Sequence, residues 1–182
     1  MKILKFTVII FALSILSIFL GSTVMGKRSI DFYKETVPKM DIKEYFDGPI
    51  SAWGIVQDWR GRVVRRFDIQ MIGKWEGDVG TLTEKFKYYD GEIQDRTWTI
   101  RKLGSGQYEG QAFDIIDKAS GEEKGNAARW SYIMDLKVDD STYRIHFDDW
   151  MWLMNDGVLI NRSYLKKFGI TVAELTIFMK KG

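Results

Sequence analysis

Charged and amphipathic side chains fall on the apolar faces of the predicted strands, where a binding site would need them. Alternation with a period of two places these residues beside aromatic and aliphatic side chains. The candidate ligand-binding residues are Gln57, Arg65, Glu84, Arg96, Trp130, Tyr132, Asp149 and Arg162. A guanidinium group in a low-dielectric interior suits a carboxylate head group, because it can donate two parallel hydrogen bonds. The pattern therefore predicts an amphipathic interior that binds a small molecule.

A second interpretation of the same charges needs no ligand. Buried acids and bases must be paired in any fold, so in this interpretation the arginines pair with Glu84 and Asp149 and not with a bound molecule. In a variant of it, the charges lie at strand ends, where a barrel opens to water. The sequence leaves both interpretations open.

Signatures of catalysis are weak. Cysteine is absent and His146 is the single histidine, which excludes thiol chemistry, cysteine-ligated metals and multi-histidine metal sites. No nucleophile elbow, phosphate-binding loop or dinucleotide glycine pattern occurs. His146 and Asp148 share a strand face, which is more typical of an exposed polar ladder than of a catalytic pair. We predict no catalytic residue, no metal and no cofactor.

The elements that would position these side chains are antiparallel strands. The segment from Val63 to Met71 alternates apolar and polar residues, and tight-turn signals recur between similar segments. The predicted strands are 50–59, 62–76, 80–89, 92–103, 107–116, 126–136, 142–154, 158–164 and 171–180. Long strands joined in sequence favour an all-β, antiparallel up-and-down barrel of about 8–10 strands. A two-sheet sandwich is the alternative.

The first 26 residues have the composition of an export leader. Lys2 and Lys5 precede the apolar run Phe6–Leu20, and small residues follow. The run is either a cleaved signal peptide or, extended to Met25, a retained membrane anchor. We expect residues 1–26 to form a signal peptide or anchor helix, residues 27–40 a linker, and residues 41–182 the barrel. The leader also predicts that the protein is located in the cell envelope. The protein would be periplasmic after cleavage, or tethered to the inner membrane by residues 6–25.

The charge balance argues against nucleic acid as a partner. The chain has 27 basic and 25 acidic residues, and the two surplus lysines lie in the leader, so the remainder is formally neutral. Phosphate backbones require a basic face.

The segment 148–154 is apolar on both faces. Trp150, Trp152 and Met154 form the second face, which either covers a ligand mouth, meets a partner or the bilayer, or packs under the N-terminal segment.

Four motifs together resemble a known family. They are Trp53-Gly54, Gly73 to Gly77, Asp148-Asp149-Trp150-Met151 and Leu159-Ile160-Asn161-Arg162. The stretch 41–181 resembles an uncharacterised bacterial lipoprotein family, the domain-of-unknown-function family numbered three-eight-three-three. The resemblance implies a cell-envelope, lipocalin-like barrel with a connection to lipids, and it assigns no catalytic residue. Members of that family usually end the signal in a lipidated cysteine, whereas in this chain Leu20-Gly21 is followed by Ser22, so a thioether anchor is impossible.

These observations predict a barrel that binds a small apolar or amphipathic molecule, such as a fatty acid or lipid, without catalysis. One alternative is an enzyme that acts on such a molecule, with Asp149 or Glu84 as acid and base. The other is a structural or assembly factor whose barrel is filled.

Overall fold

A closed antiparallel barrel makes up nearly all of the structure, a computed structural model that describes residues 28–138 and 140–182. Within those residues ten strands follow one another around the barrel. They are β1 (Gly48–Asp58), β2 (Val63–Glu76), β3 (Val79–Tyr88), β4 (Ile93–Gly104), β5 (Gln107–Gln111), β6 (Ile115–Lys124), β7 (Ala127–Val138), β8 (Ser141–Leu153), β9 (Val158–Lys167) and β10 (Ile170–Lys181). The leader predicted over residues 1–26 lies outside the described residues.

The topology is an up-and-down meander. Each strand pairs with its neighbours in sequence, and β1 closes the barrel against β10, with Gly54 opposite Ile177. The all-β antiparallel barrel is confirmed, and the two-sheet sandwich is wrong. Closure removes both sheet edges, so every strand has two pairing partners.

Period-two alternation forms the core. On β2, Phe67, Ile69 and Met71 are buried inside the barrel, while Gln70 and Ile72 face outward and are exposed. The same alternation in the other long strands fills the interior with aromatic and aliphatic side chains.

One predicted strand is two strands. The segment predicted as 107–116 ends as β5 at Gln111, and β6 then runs from Ile115 to Lys124, where the sequence predicted mainly a turn. The inward positions of β6 include Ala119 and Gly121, and a Cβ at Gly121 would overlap the Trp130 ring. Because Trp130 fills this space, β6 carries few large apolar residues and its alternation is hidden in the sequence.

A short helix plugs one end of the barrel. Helix α1 (Ile42–Tyr45) begins at Asp41, whose side chain accepts from the Glu44 amide at 2.9 Å. Ile42 and Phe46 are buried in the end of the barrel, and a Cβ at Gly73 would overlap the Phe46 carbonyl. This end is therefore closed by close backbone packing.

The opposite end is formed by hairpin turns. Several of these turns carry a large exposed side chain, namely Trp59, Tyr89, Phe113 and Phe168. We call this end of the barrel the hairpin end.

Residues 28–40 lie along the outer wall. Ile30 is buried against Ala127 and Trp150, and Tyr33 packs against Trp150 and Trp152. Of the alternatives for the second apolar face of β8, the packed second layer is the one observed for Trp150 and Trp152, whereas Met154 is exposed. No helix in residues 28–138 and 140–182 is both long and apolar enough to span a bilayer.

Candidate ligand-binding site

A cavity of about 120 Å³ lies inside the barrel. Its floor is Ile42 and Phe46, and its apolar wall comes from nearly all around the barrel. The other lining residues are Ile69, Met71, Leu82, Glu84, Phe86, Arg96, Trp98, Ile100, Trp130, Tyr132, Asp149, Met151, Asn161, Ser163, Leu175, Ile177 and Met179. A mostly apolar wall with a few polar groups is typical of a small-molecule site.

An arginine and an aspartate form the most buried ion pair of the polar cluster. Arg96 on β4 donates from Nε (3.1 Å) and Nη2 (3.0 Å) to Oδ1 of Asp114, in the turn between β5 and β6. The guanidinium group also lies 4.3 Å from the centre of the Trp98 ring. The charge of Arg96 is thus largely neutralised within the protein, and its orientation is fixed.

Glu84 lies opposite Arg96 on the neighbouring strand β3 and is buried. Its Oε2 atom has no hydrogen-bond partner within the described residues. Burial raises the pKa of Glu84 to about 7, and the positive charge of Arg96 offsets only part of this effect. Near neutral pH, this carboxyl group is divided between its acid and its ionised form.

Asp149 on β8 is the second buried carboxyl group. The Tyr132 hydroxyl donates to its Oδ2 at 3.0 Å, while Oδ1 has no partner in the described part of the chain. Ser163 lies opposite on β9, and its hydroxyl donates to Asn161 Oδ1 at 3.3 Å. Burial raises the pKa of Asp149 to about 6, although the nearby hydroxyl groups of Ser163 and Tyr132 lower it.

The structure brings together most of the residues predicted for the site. Glu84, Arg96, Trp130, Tyr132 and Asp149 all line the cavity.

Arg65 lies at the hairpin end, outside the cavity lining. It pairs with Asp90 at 3.2 Å and with Glu92, and it stacks 3.6 Å from the centre of the Tyr88 ring. Arg65 lies on the same face of β2 as the inward residue Phe67, as the sequence predicted. At this position, however, β2 has reached the rim of the barrel, so Arg65 does not line the cavity.

The predicted inward position of Arg162 is wrong. Arg162 is exposed on the outer wall, where its Nε donates to Glu174 at 2.9 Å. The inward residues of β9 are Leu159, Asn161 and Ser163. The error arose because Val158 and Ile160, which are apolar, lie on the outer face.

The predicted face of Gln57 is also wrong. The buried residues of β1 are Ile50, Ala52 and Gly54, whereas Trp53 faces outward and is exposed. Gln57 follows a register shift, and its amide donates to the Gly61 carbonyl at 3.0 Å in the hairpin turn. The prediction took the face that carries the large aromatic residue Trp53 as the inner one, and this placed Gln57 on the wrong face.

Sequence reasoning missed three polar members of the site: Asp114, Asn161 and Ser163. Asp114 lies in the turn between β5 and β6, inside the segment that the sequence predicted as a single strand over 107–116, so strand parity could not place it. Asn161 and Ser163 alternate with period two between Leu159 and Leu165, and this signal would have found them.

Asp148 is the centre of a different cluster, on the outer wall. It accepts from Arg129 Nε at 2.8 Å and from Lys166 Nζ at 2.7 Å. His146, on the same face, lies 2.8 Å from the Ser131 hydroxyl through Nε2. The sequence predicted an exposed polar ladder on this face, whereas the structure shows a polar cluster that is partly buried.

Metal-binding clusters of three or more histidine, aspartate or glutamate residues do not occur in residues 28–138 and 140–182.

The fold and the cavity define a ten-stranded barrel with a small amphipathic interior. The chain matches the family described as "Protein of unknown function (DUF3833)" over residues 19–181, and it belongs to that family. No curated protein matches the sequence.

Proposed function

We propose that this protein binds a small amphipathic molecule inside the barrel and does not transform it. The observation that carries the proposal is a cavity with an apolar wall and two carboxyl oxygens, Glu84 Oε2 and Asp149 Oδ1, that lack partners in the described chain. Leaving such groups buried and unpaired costs about 1–3 kcal/mol each. A ligand that pairs them would recover this free energy.

The cavity volume sets the size of the bound part. At about 120 Å³ it is comparable to a cavity of roughly 150 Å³ that binds benzene. It therefore accommodates a head group and a few carbon atoms. A longer lipid chain, such as that of a fatty acid, would have to extend away from α1, because Ile42 and Phe46 close that end of the cavity.

The cell envelope is the proposed location. The support is the apolar run Phe6–Leu20 behind Lys2 and Lys5, which fits a leader that is cleaved or retained. The membrane itself would then be a partner through residues 6–25, and the ligand would come from its lipids.

Native mass spectrometry tests the binding function. Protein purified from the membrane and soluble fractions of cells that express the full chain should carry a co-purified amphipathic molecule. It should also bind N-phenyl-1-naphthylamine, an uncharged fluorescent probe. Leu175→Trp, which fills the cavity, should abolish probe binding. Leu103→Trp, at an exposed position, should leave it unchanged.

A filled barrel that acts only as a structural factor makes the opposite prediction. It would bind no probe and carry no lipid, and Leu175→Trp would overpack its core.

Catalysis is the second candidate, because two buried carboxyl groups have pKa values of about 7 and about 6. Such values suit general acid–base chemistry near neutral pH. Turnover of extracted lipids that is lost in Glu84→Gln would support an enzyme. Binding without turnover would support the non-catalytic proposal.

A further inference from the structure

We propose that the barrel selects a ligand with a cationic, hydrogen-bond-donating head, such as a primary ammonium group on an apolar chain, over a fatty acid. The inference rests on the proposed function, since it names the class of molecule that the same cavity takes.

The hydrogen-bonding capacity of the cavity carries the inference. Glu84 Oε2 and Asp149 Oδ1 are buried acceptors without partners in the described chain. An ammonium group brings three donors and no acceptor, so it carries enough donors for both oxygens, which belong to carboxyl groups that line the same cavity. A carboxylate brings acceptors only, so it could pair with a protonated carboxyl group but would leave an ionised one unsatisfied.

Several donors of the cavity wall are already engaged. Arg96 directs Nε and Nη2 at Asp114, and the Tyr132 hydroxyl donates to Asp149. The Asn161 amide donates to the Trp150 carbonyl at 3.1 Å. A bound carboxylate would have to compete with these contacts for its hydrogen bonds.

The charge around the cavity leads to the same conclusion. Among the described lining residues, the charged groups are Glu84 from β3, Arg96 from β4 and Asp149 from β8. Asp114 neutralises Arg96 from the turn beyond β5, and β7 contributes the Tyr132 hydroxyl. The lining residues from β2, β9 and β10 are uncharged. The surplus is therefore negative, and an ammonium group offsets it, whereas a carboxylate adds to it.

Proton binding should weaken the selection. Because the pKa values of Glu84 and Asp149 are raised to about 7 and about 6, both carboxyl groups become neutral in mildly acidic solution. The preference for an ammonium head should then fall as the pH is lowered through this range.

Three ligands that differ only in the head group test the inference: decylamine, decanol and decanoate, measured by displacement of N-phenyl-1-naphthylamine. At neutral pH, decylamine should bind at least about tenfold more tightly than decanoate, a difference of roughly 1.4 kcal/mol. The preference should shrink near pH 5, where the carboxyl groups are protonated.

Replacing carboxyl groups by amides on the inner wall tests the inference, and the same replacement on the outer wall is the matched control. Glu84→Gln combined with Asp149→Asn should abolish the preference for decylamine and retain the binding of decanol. Asp148→Asn, the same change on the outer wall, should keep the preference. If the double variant does not fold, Glu84→Gln alone should reduce the preference.

Two results would overturn the inference in distinguishable ways. Tighter or equal binding of decanoate by the unmodified protein would refute the cationic head and leave the binding function standing. Failure to bind all three ligands and the probe would refute both.

Discussion

Two neighbouring aspartates experience opposite environments in this barrel. Asp148 faces outward and accepts hydrogen bonds from Arg129 and Lys166 at 2.8 and 2.7 Å. Burial pushes its pKa up, but these two cations outweigh burial and hold the pKa below its usual value. Asp149 faces inward, accepts one hydrogen bond from Tyr132, and has its pKa raised to about 6.

The contrast separates a carboxylate that the protein satisfies from one that it leaves unsatisfied. Both side chains are almost inaccessible to solvent, but Asp149 lies deep inside the barrel and Asp148 lies in the outer wall, so desolvation and the number of nearby cations both contribute to the difference in pKa. The outer cluster supplies two cations to one carboxylate, whereas the inner cluster uses its one cation, Arg96, mainly for Asp114. The inner wall therefore retains acceptors for a ligand, and the outer wall does not.

The largest effect is expected from the inner arginine. Arg96→Met should lower the free energy of unfolding by about 3–5 kcal/mol, because it leaves Asp114, whose side chain is only 15 % exposed, without its partner and removes the one cation that faces Glu84. Arg162→Met, the same change at the exposed outer pair with Glu174, should leave the melting temperature nearly unchanged. Chemical denaturation of both variants measures the difference. Equal losses would show that the inner pair has no special role.

The pH dependence of stability should have opposite signs for the two aspartates. The folded-state pKa of Asp149 is above its unfolded value, so the folded protein holds this proton longer and stability falls as the pH rises from about 4 to about 6. In the unmodified protein the free energy of unfolding should fall by roughly 3 kcal/mol over this range, at about 1.4 kcal/mol per pKa unit. This fall should be absent in Asp149→Asn. The measurement is urea denaturation across this range.

Asp148 should show the reverse dependence. Its folded-state pKa is lowered, so its stabilisation is complete above the unfolded value near 4 and disappears as the pH falls below it. At neutral pH, Asp148→Asn should destabilise the protein by about 1.5–3 kcal/mol, since it weakens two charge-assisted hydrogen bonds. A variant as stable as the unmodified protein at neutral pH would contradict this account of the outer cluster.

The smallest effect is expected at the hydrogen bond between Ser131 and His146. Ser131→Ala should cost about 0.5–1.5 kcal/mol, as for an ordinary hydrogen bond. Probe binding should be unchanged, because this pair lies on the outer wall. Loss of probe binding in this variant would mean that the two walls are coupled.

The sequence predicts the barrel well, because alternation between faces is a local property. Strand β2 shows this most clearly, since Phe67, Ile69 and Met71 all point inward as predicted. Strand β6 escaped detection, because tertiary packing of Trp130 against Gly121 replaces the large side chains that mark a strand.

The site was predicted in part for a related physical reason. Glu84, Arg96 and Asp149 lie in strands whose inner face is unambiguous. Arg162 was placed on the wrong face, because its strand is apolar on both sides near Val158 and Ile160. The partner of Arg96 could not be found at all, since Asp114 reaches it across the turn between two strands and not along one of them.

Proton release on binding tests the central claim most directly. A cation placed between Glu84 and Asp149 lowers the pKa of both carboxyl groups, so decylamine binding near pH 6 to 7 must release protons to the buffer. Calorimetric titration in two buffers with different ionisation enthalpies measures the number of protons released for each decylamine molecule bound. We expect net release that disappears in the Glu84→Gln, Asp149→Asn double variant. Decylamine binding with no proton exchange, or with proton uptake, would contradict the account.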